Sequence, residues 1–175
     1  MKELKFEKII DSRRLKKKVK ELAQKISSDY ANKNPILVGI LKGSFVLLAD
    51  LIREIDIPHE VDFISVASYK DNTKGSGVVE LLKDLSTNIE GRDVIVVEDI
   101  VDTGLTLNYI RKNLLTRNPK TLAILTLLDK KQRRKKKVPL KYVGFTIPGD
   151  FVVGYGLDYN QQYRNLSFLA KIDEV

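Results

Sequence analysis

Apolar positions along the chain change their spacing several times, and each spacing predicts a different element. Between residues 11 and 32 they recur every three or four positions, as on one face of a helix. The residues on this face are Leu15, Val19, Leu22, Ala23 and Ile26. Asp11 or Ser12 is suited to cap the helix, because a short polar side chain accepts a hydrogen bond from the first free N–H groups.

The remaining pattern predicts strands that alternate with two more helices. The predicted strands cover residues 36–41, 61–68, 78–83, 94–97, 121–128, 142–145, 151–155 and 166–172. Helices are expected from the turn at residues 42–44 to about Glu54, and from Leu105 to about Arg117, where Asn118-Pro119 stops the helix. Strands alternating with helices form βαβ units, so we expect a parallel sheet that binds ligands at the carboxyl ends of its strands.

Two segments stand outside this alternation. Residues 69–77 are polar and contain two glycines, which predicts a mobile surface loop. Residues 130–137 read K-K-Q-R-R-K-K-K, so seven of the 31 basic residues lie there, and the other 24 nearly balance the 23 acidic ones. The net charge of +8 therefore belongs mostly to one short run. Such a run is usually solvated surface, although it could attract an anionic substrate or a nucleic acid.

Composition narrows the class of protein. The 175 residues suit one domain, residues 1–175, and a hydrophobic fraction of 43% is typical of globular proteins. No apolar stretch approaches the ~18 residues that span a membrane, and the charged N-terminus lacks a secretory signal. The chain has no cysteine, which excludes disulfides and thiolate sites. The one histidine, His59, is expected at the surface near a turn rather than in a catalytic triad. We expect a cytoplasmic protein.

The densest group of candidate functional residues lies in V-I-V-V-E-D-I-V-D-T-G-L-T, residues 94–106. The buried strand is predicted to end on Glu98 and Asp99, and Asp102 follows. Residues 103–106 then form a turn of small residues at a helix start, where free backbone N–H groups can hold a phosphate. Carboxylates beside such a turn suit a phosphorylated sugar. The chain lacks a P-loop motif and a complete dinucleotide fingerprint.

These thirteen residues resemble the signature of the type I phosphoribosyltransferases, which bind 5-phosphoribosyl-1-diphosphate (PRPP). Four further segments are similar to the hypoxanthine-guanine, or 6-oxopurine, branch of that family, in matching order from about residue 35 to residue 169. They are L-K-G-S at 41–44, Ser68-Tyr69, L-L-D-K at 127–130 and F-V-V-G-Y-G-L-D-Y at 151–159.

The resemblance implies an α/β fold, the type I phosphoribosyltransferase fold. Its central, mostly parallel sheet is flanked by helices, with a small hood formed by the N- and C-terminal segments. The implied function is purine salvage: Mg²⁺-dependent transfer of the phosphoribosyl group from PRPP to N9 of hypoxanthine or guanine, giving IMP or GMP and diphosphate. The family also implies a homodimer or homotetramer, with no membrane partner.

The resemblance assigns the sugar and its 5′-phosphate to the signature. Asp102, Thr103, Gly104, Leu105 and Thr106 would wrap the 5′-phosphate. Glu98 and Asp99 would accept hydrogen bonds from the ribose hydroxyls, and charge-assisted bonds of this kind are strong. Asp102 would also serve as the general base for purine N7. Read alone, Asp99 could instead cap the following helix.

Other segments are assigned, by the same resemblance, to the diphosphate. Lys42 and Gly43 would form the diphosphate loop, with a cis peptide between Leu41 and Lys42. Arg134 and Arg164 would contact the diphosphate, although alignment within the basic run can shift Arg134 by one position. Either arginine could equally be a solvated surface charge.

The purine is assigned to a third group. Lys130 would donate to the 6-oxo group and Phe151 would stack on the ring, although the local pattern alone favours a core aromatic for Phe151. The backbone of Val152 would bind the base edge. Asp158, near the purine, would bind Mg²⁺ with Glu98 and Asp99 as further metal ligands. Ser68 and Tyr69 would begin a lid that excludes water.

One departure and two alternatives qualify this interpretation. Gly149 stands where branch members commonly carry an acidic residue. The basic run supports a second hypothesis, a nucleic-acid-binding regulator built on the same fold, although such a regulator need not keep Asp102, Lys130 and Asp158 together. A third hypothesis is a phosphoribosyltransferase that prefers xanthine or another base, such as a pyrimidine.

Overall fold

The computed structural model of the protein describes residues 4–68 and 79–174, and it contains nine strands and three α-helices within those ranges. In chain order they are β1 (Leu4–Ile10), α1 (Ser12–Asp29), β2 (Ile36–Leu41), α2 (Phe45–Glu54), β3 (Glu60–Ser68), β4 (Val79–Lys83), β5 (Asp93–Val101), α3 (Leu105–Leu115), β6 (Thr121–Asp129), β7 (Tyr142–Thr146), β8 (Val152–Val153) and β9 (Leu169–Glu174). A short 3-10 helix (Lys131–Arg133) follows β6.

The larger sheet has six strands in the order β4-β3-β2-β5-β6-β7. All neighbours are parallel except β3 and β4, which are antiparallel. In β5, Ile95 and Val97 pack into the hydrophobic core that contains α1 and α2, while Val94 and Val96 pack into the core on the α3 side. Because both faces are covered, the strand is aliphatic throughout this stretch, as the sequence predicted.

Local signals placed most element boundaries close to the observed ones. Asp11 caps α1, since its Oδ1 accepts a hydrogen bond from the Arg14 N–H at 2.8 Å. The strand 36–41 and the start of α3 at Leu105 agree with expectation. His59 lies in a connection between α2 and β3 and is half-buried, with Nδ1 2.8 Å from the Ile57 carbonyl oxygen.

Three strand boundaries were predicted wrongly. The strand expected at residues 151–155 covers only Val152–Val153, and the one expected at 166–172 is Leu169–Glu174. The strand β5 does not end at Glu98 and Asp99 but runs on to Val101. Its parallel pairing with β6 continues as far as Val101 opposite Asp129, so the neighbouring strand keeps this stretch extended. The two carboxylates therefore lie within a buried strand rather than after it.

The hood is a three-stranded antiparallel sheet in the order β1-β9-β8. It joins the N- and C-terminal segments, as the resemblance implied, but β1 itself was not predicted. Its sequence, L-K-F-E-K-I-I, has no clear alternation, and its partner β9 lies about 160 residues away. Phe6 packs edge-to-face on Tyr163 with ring centroids 5.1 Å apart, which helps to hold this remote pairing.

The predicted mobile loop, residues 69–77, lies outside the described residues. Among the residues that are described, none of the helices combines the length and apolar character that a membrane crossing would need.

Candidate active site

The carboxyl ends of β2, β5 and β6 bring the candidate residues to one edge of the larger sheet. Lys42 directly follows β2, Asp102 directly follows β5, and Lys130 directly follows β6. A cavity of about 430 Å³ opens at this edge. It is lined by Ile100, Asp102, Lys130, Arg133, Gly149, Phe151, Val152, Leu157 and Asp158. The parallel sheet therefore assembles residues that are far apart in sequence, as expected.

The phosphate loop, residues 102–106, turns into α3 at Gly104. This glycine has φ 78°, a left-handed conformation that a side chain disfavours. A Cβ on Gly104 would also lie 2.6 Å from the Lys136 carbonyl oxygen, so the position has no room for one. Leu105 N–H and Asn108 N–H donate to Thr103 Oγ1 and the Gly104 carbonyl, at 3.4 and 2.9 Å. The loop thus presents the positive end of an eleven-residue helix to the site edge.

Glu98 and Asp99 are carboxylates held largely away from water. Asp99 is 7% exposed, and its Oδ1 accepts a hydrogen bond from the Ile100 N–H at 2.7 Å, so it does not cap α3. Glu98 Oε2 is buried and has no hydrogen-bond partner among the described residues. Burial, with the charge of Asp99 added, raises the pKa of Glu98 well above its usual range. Burial raises the pKa of Asp99 to about 6. Donors such as sugar hydroxyls would satisfy both groups.

Asp102 and Lys130 supply an acceptor and a donor to the same cavity. Asp102 Oδ1 is buried and lacks a hydrogen-bond donor among the described residues. Arg133 Nε lies 2.9 Å away, but its N–H is not aligned for a hydrogen bond, so the contact is one of charge only. Lys130 is 5% exposed, so the first residue of the basic run is not surface. Burial lowers the pKa of Lys130, and the Asp102 charge opposes that shift.

Phe151 is not a core residue. Its side chain is 52% exposed at the cavity, with an edge-to-face contact to Tyr159 at 5.7 Å between ring centroids. The sequence-based preference for a core aromatic was therefore wrong, because the short strand β8 begins only at Val152. An exposed ring beside Lys130 and Val152 offers a flat surface to a planar heterocycle.

The segment Lys42-Gly43 forms a tight turn against the buried carboxylates. The peptide between Leu41 and Lys42 is cis, as the resemblance implied. A Cβ on Gly43 would lie 1.7 Å from Asp99 Oδ2, so only glycine allows this approach. Gly156 in turn packs on the Gly43 carbonyl, where an added Cβ would lie 2.1 Å from the oxygen. The Lys42-Gly43 turn therefore packs directly against both Asp99 and the segment after β8.

Asp158 and Arg164 form an ion pair beside this turn, with Arg164 Nη2 2.8 Å from Asp158 Oδ1. Arg164 Nη1 also donates to the Gly156 carbonyl at 2.8 Å, and Asp158 Oδ2 accepts from the Gln161 N–H at 2.8 Å. Both charges act on the pKa of Asp99: Arg164 lowers it and Asp158 raises it. The three side chains therefore share one electrostatic environment.

The predicted Mg²⁺ ligands are the carboxylates of Asp158, Glu98 and Asp99. Over residues 4–68 and 79–174, no three His, Cys, Asp or Glu side chains gather into a ready-made metal site. Mg²⁺ commonly binds one or two carboxylates together with substrate phosphates and waters. Asp99 and Asp158 provide oxygen ligands of this type beside the Lys42-Gly43 turn, so they fit a metal that arrives with a phosphorylated substrate. The place of Glu98 among the metal ligands stays a prediction.

The two neighbouring arginines of the basic run have different surroundings. Arg134 is largely buried, paired with Asp129, and its Cδ lies behind Gly104, 3.1 Å from where a Cβ would be. Its Nη1 has no hydrogen-bond partner among the described residues. Arg133, which the sequence analysis did not assign, lines the cavity beside Asp102 and lies against Gly149. The only sequence signal for it was its position next to Arg134. The diphosphate role of Arg134 stays a prediction.

Of the two residues predicted to begin the lid, only Ser68 is among the described residues. Ser68 ends β3, on the edge strand pair β3–β4 of the larger sheet, and Tyr69 lies outside the described residues. The lid therefore stays a prediction.

The sequence is similar to known phosphoribosyltransferases over most of its length. The family model for the phosphoribosyl transferase domain matches residues 6–160. A hypoxanthine phosphoribosyltransferase of Salmonella typhimurium is 47% identical over 166 residues, covering 94% of this chain and 93% of the relative. A hypoxanthine-guanine phosphoribosyltransferase of Bacillus subtilis is 46% identical over 162 residues, covering 93% and 90%.

Solved structures agree as well. A crystal structure of a hypoxanthine-guanine phosphoribosyltransferase from Bacillus anthracis superposes with a TM-score of 0.90 at 45% identity, covering 98% of this chain and 100% of that one. The family match extends over most of the chain and includes the phosphate loop, the buried carboxylates and the cavity. The chain therefore belongs to the phosphoribosyltransferase family, in its hypoxanthine-guanine branch.

Proposed function

We propose that this protein transfers the 5-phosphoribosyl group of PRPP to N9 of hypoxanthine or guanine, forming IMP or GMP and diphosphate in purine salvage. The observation that carries the proposal is the pair of complementary groups in the cavity: a buried Asp102 Oδ1 without a donor and a buried Lys130 ammonium. A 6-oxopurine offers an N7–H donor and a 6-oxo acceptor on one edge. The 6-amino group of adenine is a donor, which would oppose Lys130.

The ring and the sugar would then occupy adjacent surfaces. Phe151 would stack on the purine, and the Val152 backbone would bind its opposite edge. Glu98 and Asp99 would accept hydrogen bonds from the ribose hydroxyls, which resolves the missing partner of Glu98 Oε2. The 5′-phosphate would lie on the backbone N–H groups of residues 102–106, at the start of α3.

The reaction breaks the bond between C1 of the ribose and the diphosphate oxygen and forms a bond from C1 to purine N9. Positive charge builds on the purine, and the proton on N7 moves to Asp102. A positioned base of this kind contributes roughly 10²–10⁴-fold. Lys42, Gly43 and Arg164 would hold the departing diphosphate, with Arg134 as a further predicted contact. Mg²⁺, held by Asp158, Glu98 and Asp99, would neutralise charge on that leaving group.

The test mixes the purified protein with Mg²⁺ and PRPP and offers hypoxanthine, guanine, xanthine, adenine and uracil in separate reactions. We expect nucleotide from hypoxanthine and guanine and none from adenine or uracil. Product from xanthine would widen the substrate class without changing the chemistry. Product from uracil alone, or from no base, would contradict the proposal.

The family resemblance also proposes an assembly. We expect a homodimer or homotetramer, and Phe45, 43% exposed directly after the diphosphate turn, is a side chain that a second copy would cover. Light scattering coupled to gel filtration measures the mass in solution. A mass of about 20 kDa, that of the 19.9 kDa chain, would contradict this expectation.

A further inference from the structure

The end of the basic run is attached to the phosphate loop through its backbone. Lys135 N–H and Lys136 N–H both donate to the Thr103 carbonyl, at 2.9 and 3.1 Å. The Lys136 carbonyl lies against Gly104, where an added Cβ would be 2.6 Å from the oxygen. We call residues 135–137 the lysine loop. Its position beside the phosphate loop is therefore set by main-chain contacts and leaves its side chains free for another role.

Those side chains differ from the arginines that precede them. Arg133 and Arg134 are paired with Asp102 and Asp129, so much of their charge is neutralised locally. The side chains of the lysine loop are exposed, and none of them forms an ion pair within residues 4–68 and 79–174. Three uncompensated positive charges thus stand next to the phosphate loop, in a chain whose 24 basic residues outside residues 130–137 nearly balance its 23 acidic ones.

We propose that the lysine loop draws PRPP toward the phosphate loop by long-range electrostatic attraction. The inference rests on the proposed function, because it takes PRPP as the substrate. PRPP carries several negative charges, whereas hypoxanthine and guanine are neutral near pH 7. The backbone of the lysine loop is hydrogen-bonded to the phosphate loop, and a lysine side chain reaches only about 6 Å from its Cα. The charges therefore lie within about one Debye length of the phosphate loop, ~8–10 Å at physiological salt. Charges arranged in this way raise the association rate of an oppositely charged ligand.

Attraction of this kind has a distinct kinetic pattern. It raises kcat/KM for PRPP, fades as salt screens the charges, and leaves unchanged both kcat and kcat/KM for hypoxanthine at saturating PRPP. If the lysine loop instead shaped the phosphate loop, its substitution would lower kcat, and the loss would persist at high salt. The salt dependence for one substrate, with the other as internal reference, therefore separates the two roles.

The experiment compares the wild-type protein with the triple variant Lys135→Gln, Lys136→Gln, Lys137→Gln, which keeps the backbone contacts and removes three charges. The matched control, Lys33→Gln, Lys112→Gln, Lys120→Gln, removes the same charge elsewhere. Lys33 and Lys120 precede β2 and β6, and Lys112 lies in the last turn of α3, so all three are near the opposite edge of the sheet. Steady-state rates are measured from low to high sodium chloride concentration.

We expect the lysine-loop variant to lose about 3–10-fold in kcat/KM for PRPP at ~20 mM salt and less than about 2-fold at ~500 mM salt. The control variant should stay close to the wild type throughout. Equal salt dependence in all three proteins would overturn the proposal, as would a loss that persists at high salt or that extends to kcat. If the wild type forms no nucleotide, the proposed function fails instead. Calorimetric binding of PRPP across the same salt range then decides the inference separately.

Discussion

The two halves of the site are built in different ways. The half that we propose for the sugar and its phosphate, the sugar-phosphate half, comprises residues 98–106, one continuous strand, loop and helix start. The half that we propose for the purine, the base half, consists of side chains from separate segments. Lys130 follows β6, Phe151 directly precedes β8, Val152 lies in β8, and Arg133 lines the same cavity. The first half uses backbone N–H groups and buried carboxylates, whereas the second uses side chains brought together by folding. A ligand with a phosphate at one end and a flat ring at the other needs both kinds of construction.

Asp102 belongs to both halves, and its substitution should give the largest effect. Asp102→Asn keeps the shape of the phosphate loop but removes the carboxylate that we propose as the base for the N7 proton. We expect kcat to fall by roughly 10²–10⁴-fold while the KM for PRPP changes little. Single-turnover and steady-state assays with hypoxanthine measure both values. An unchanged kcat would remove Asp102 as the base, and a large rise in KM for PRPP would place its role in the sugar-phosphate half alone.

Substitution of Asp99 tests whether a buried charged carboxylate lowers the free energy of unfolding of the ligand-free protein. Its pKa is raised to about 6 from 3.8, so the folded state holds the proton more tightly than the unfolded state does. The free energy of unfolding should therefore fall as pH rises from about 4 to about 6 and stay lower above that. Asp99→Asn removes this loss and should stabilise the free protein at pH 8 by about 3 kcal/mol, with no gain below about pH 4.

Thermal unfolding at pH 4 and pH 8 measures this difference, and about 3 kcal/mol corresponds to a rise in Tm of roughly 6–12 °C at pH 8. The same variant should bind PRPP less tightly, because the ribose loses a charged acceptor. Equal stability of variant and wild type at pH 8 would mean that Asp99 carries no strain in the free protein.

Substitution of Gly104 should change the binding of PRPP in the sugar-phosphate half and leave the base half unaffected. Gly104→Ala places a Cβ 2.6 Å from the Lys136 carbonyl at φ 78°. A non-glycine residue in this conformation costs about 1–3 kcal/mol, so the KM for PRPP should rise by roughly 5–100-fold. The KM for hypoxanthine at saturating PRPP should stay the same.

Gly91 provides the matched control for that variant. It has φ 68°, and a Cβ there would meet no atom within 4 Å. Gly91→Ala should therefore lower Tm to a similar small extent without changing the KM for PRPP. If both alanine variants raised that KM equally, the effect would come from general destabilisation rather than from the phosphate loop.

The two halves also differ in how well their residues could be predicted from the sequence, because one half is contiguous in the chain and the other is not. The sugar-phosphate half is contiguous, so its residues stand together in the chain, and only the extension of β5 to Val101 was missed because it depends on pairing with β6. The base half depends on contacts between distant segments. Local pattern alone favoured a core position for Phe151 and a surface position for Lys130, and it gave no role to Arg133. The strand β1 was missed for the same reason, since its partner is β9.

Phe151 gives the smallest expected effect and probes the base half alone. Phe151→Leu keeps an apolar side chain at the cavity but removes the flat ring, and stacking is worth about 0.5–1.5 kcal/mol beyond buried area. We expect the KM for hypoxanthine and guanine to rise by about 2–10-fold, with the KM for PRPP and Tm nearly unchanged, because the wild-type ring is 52% exposed. Steady-state assays with each substrate varied in turn give both constants. A fall in Tm without a change in the KM for hypoxanthine or guanine would indicate that Phe151 stabilises the fold rather than binding the base. Equal increases in both KM values would show that the two halves of the site are coupled more tightly than their construction suggests.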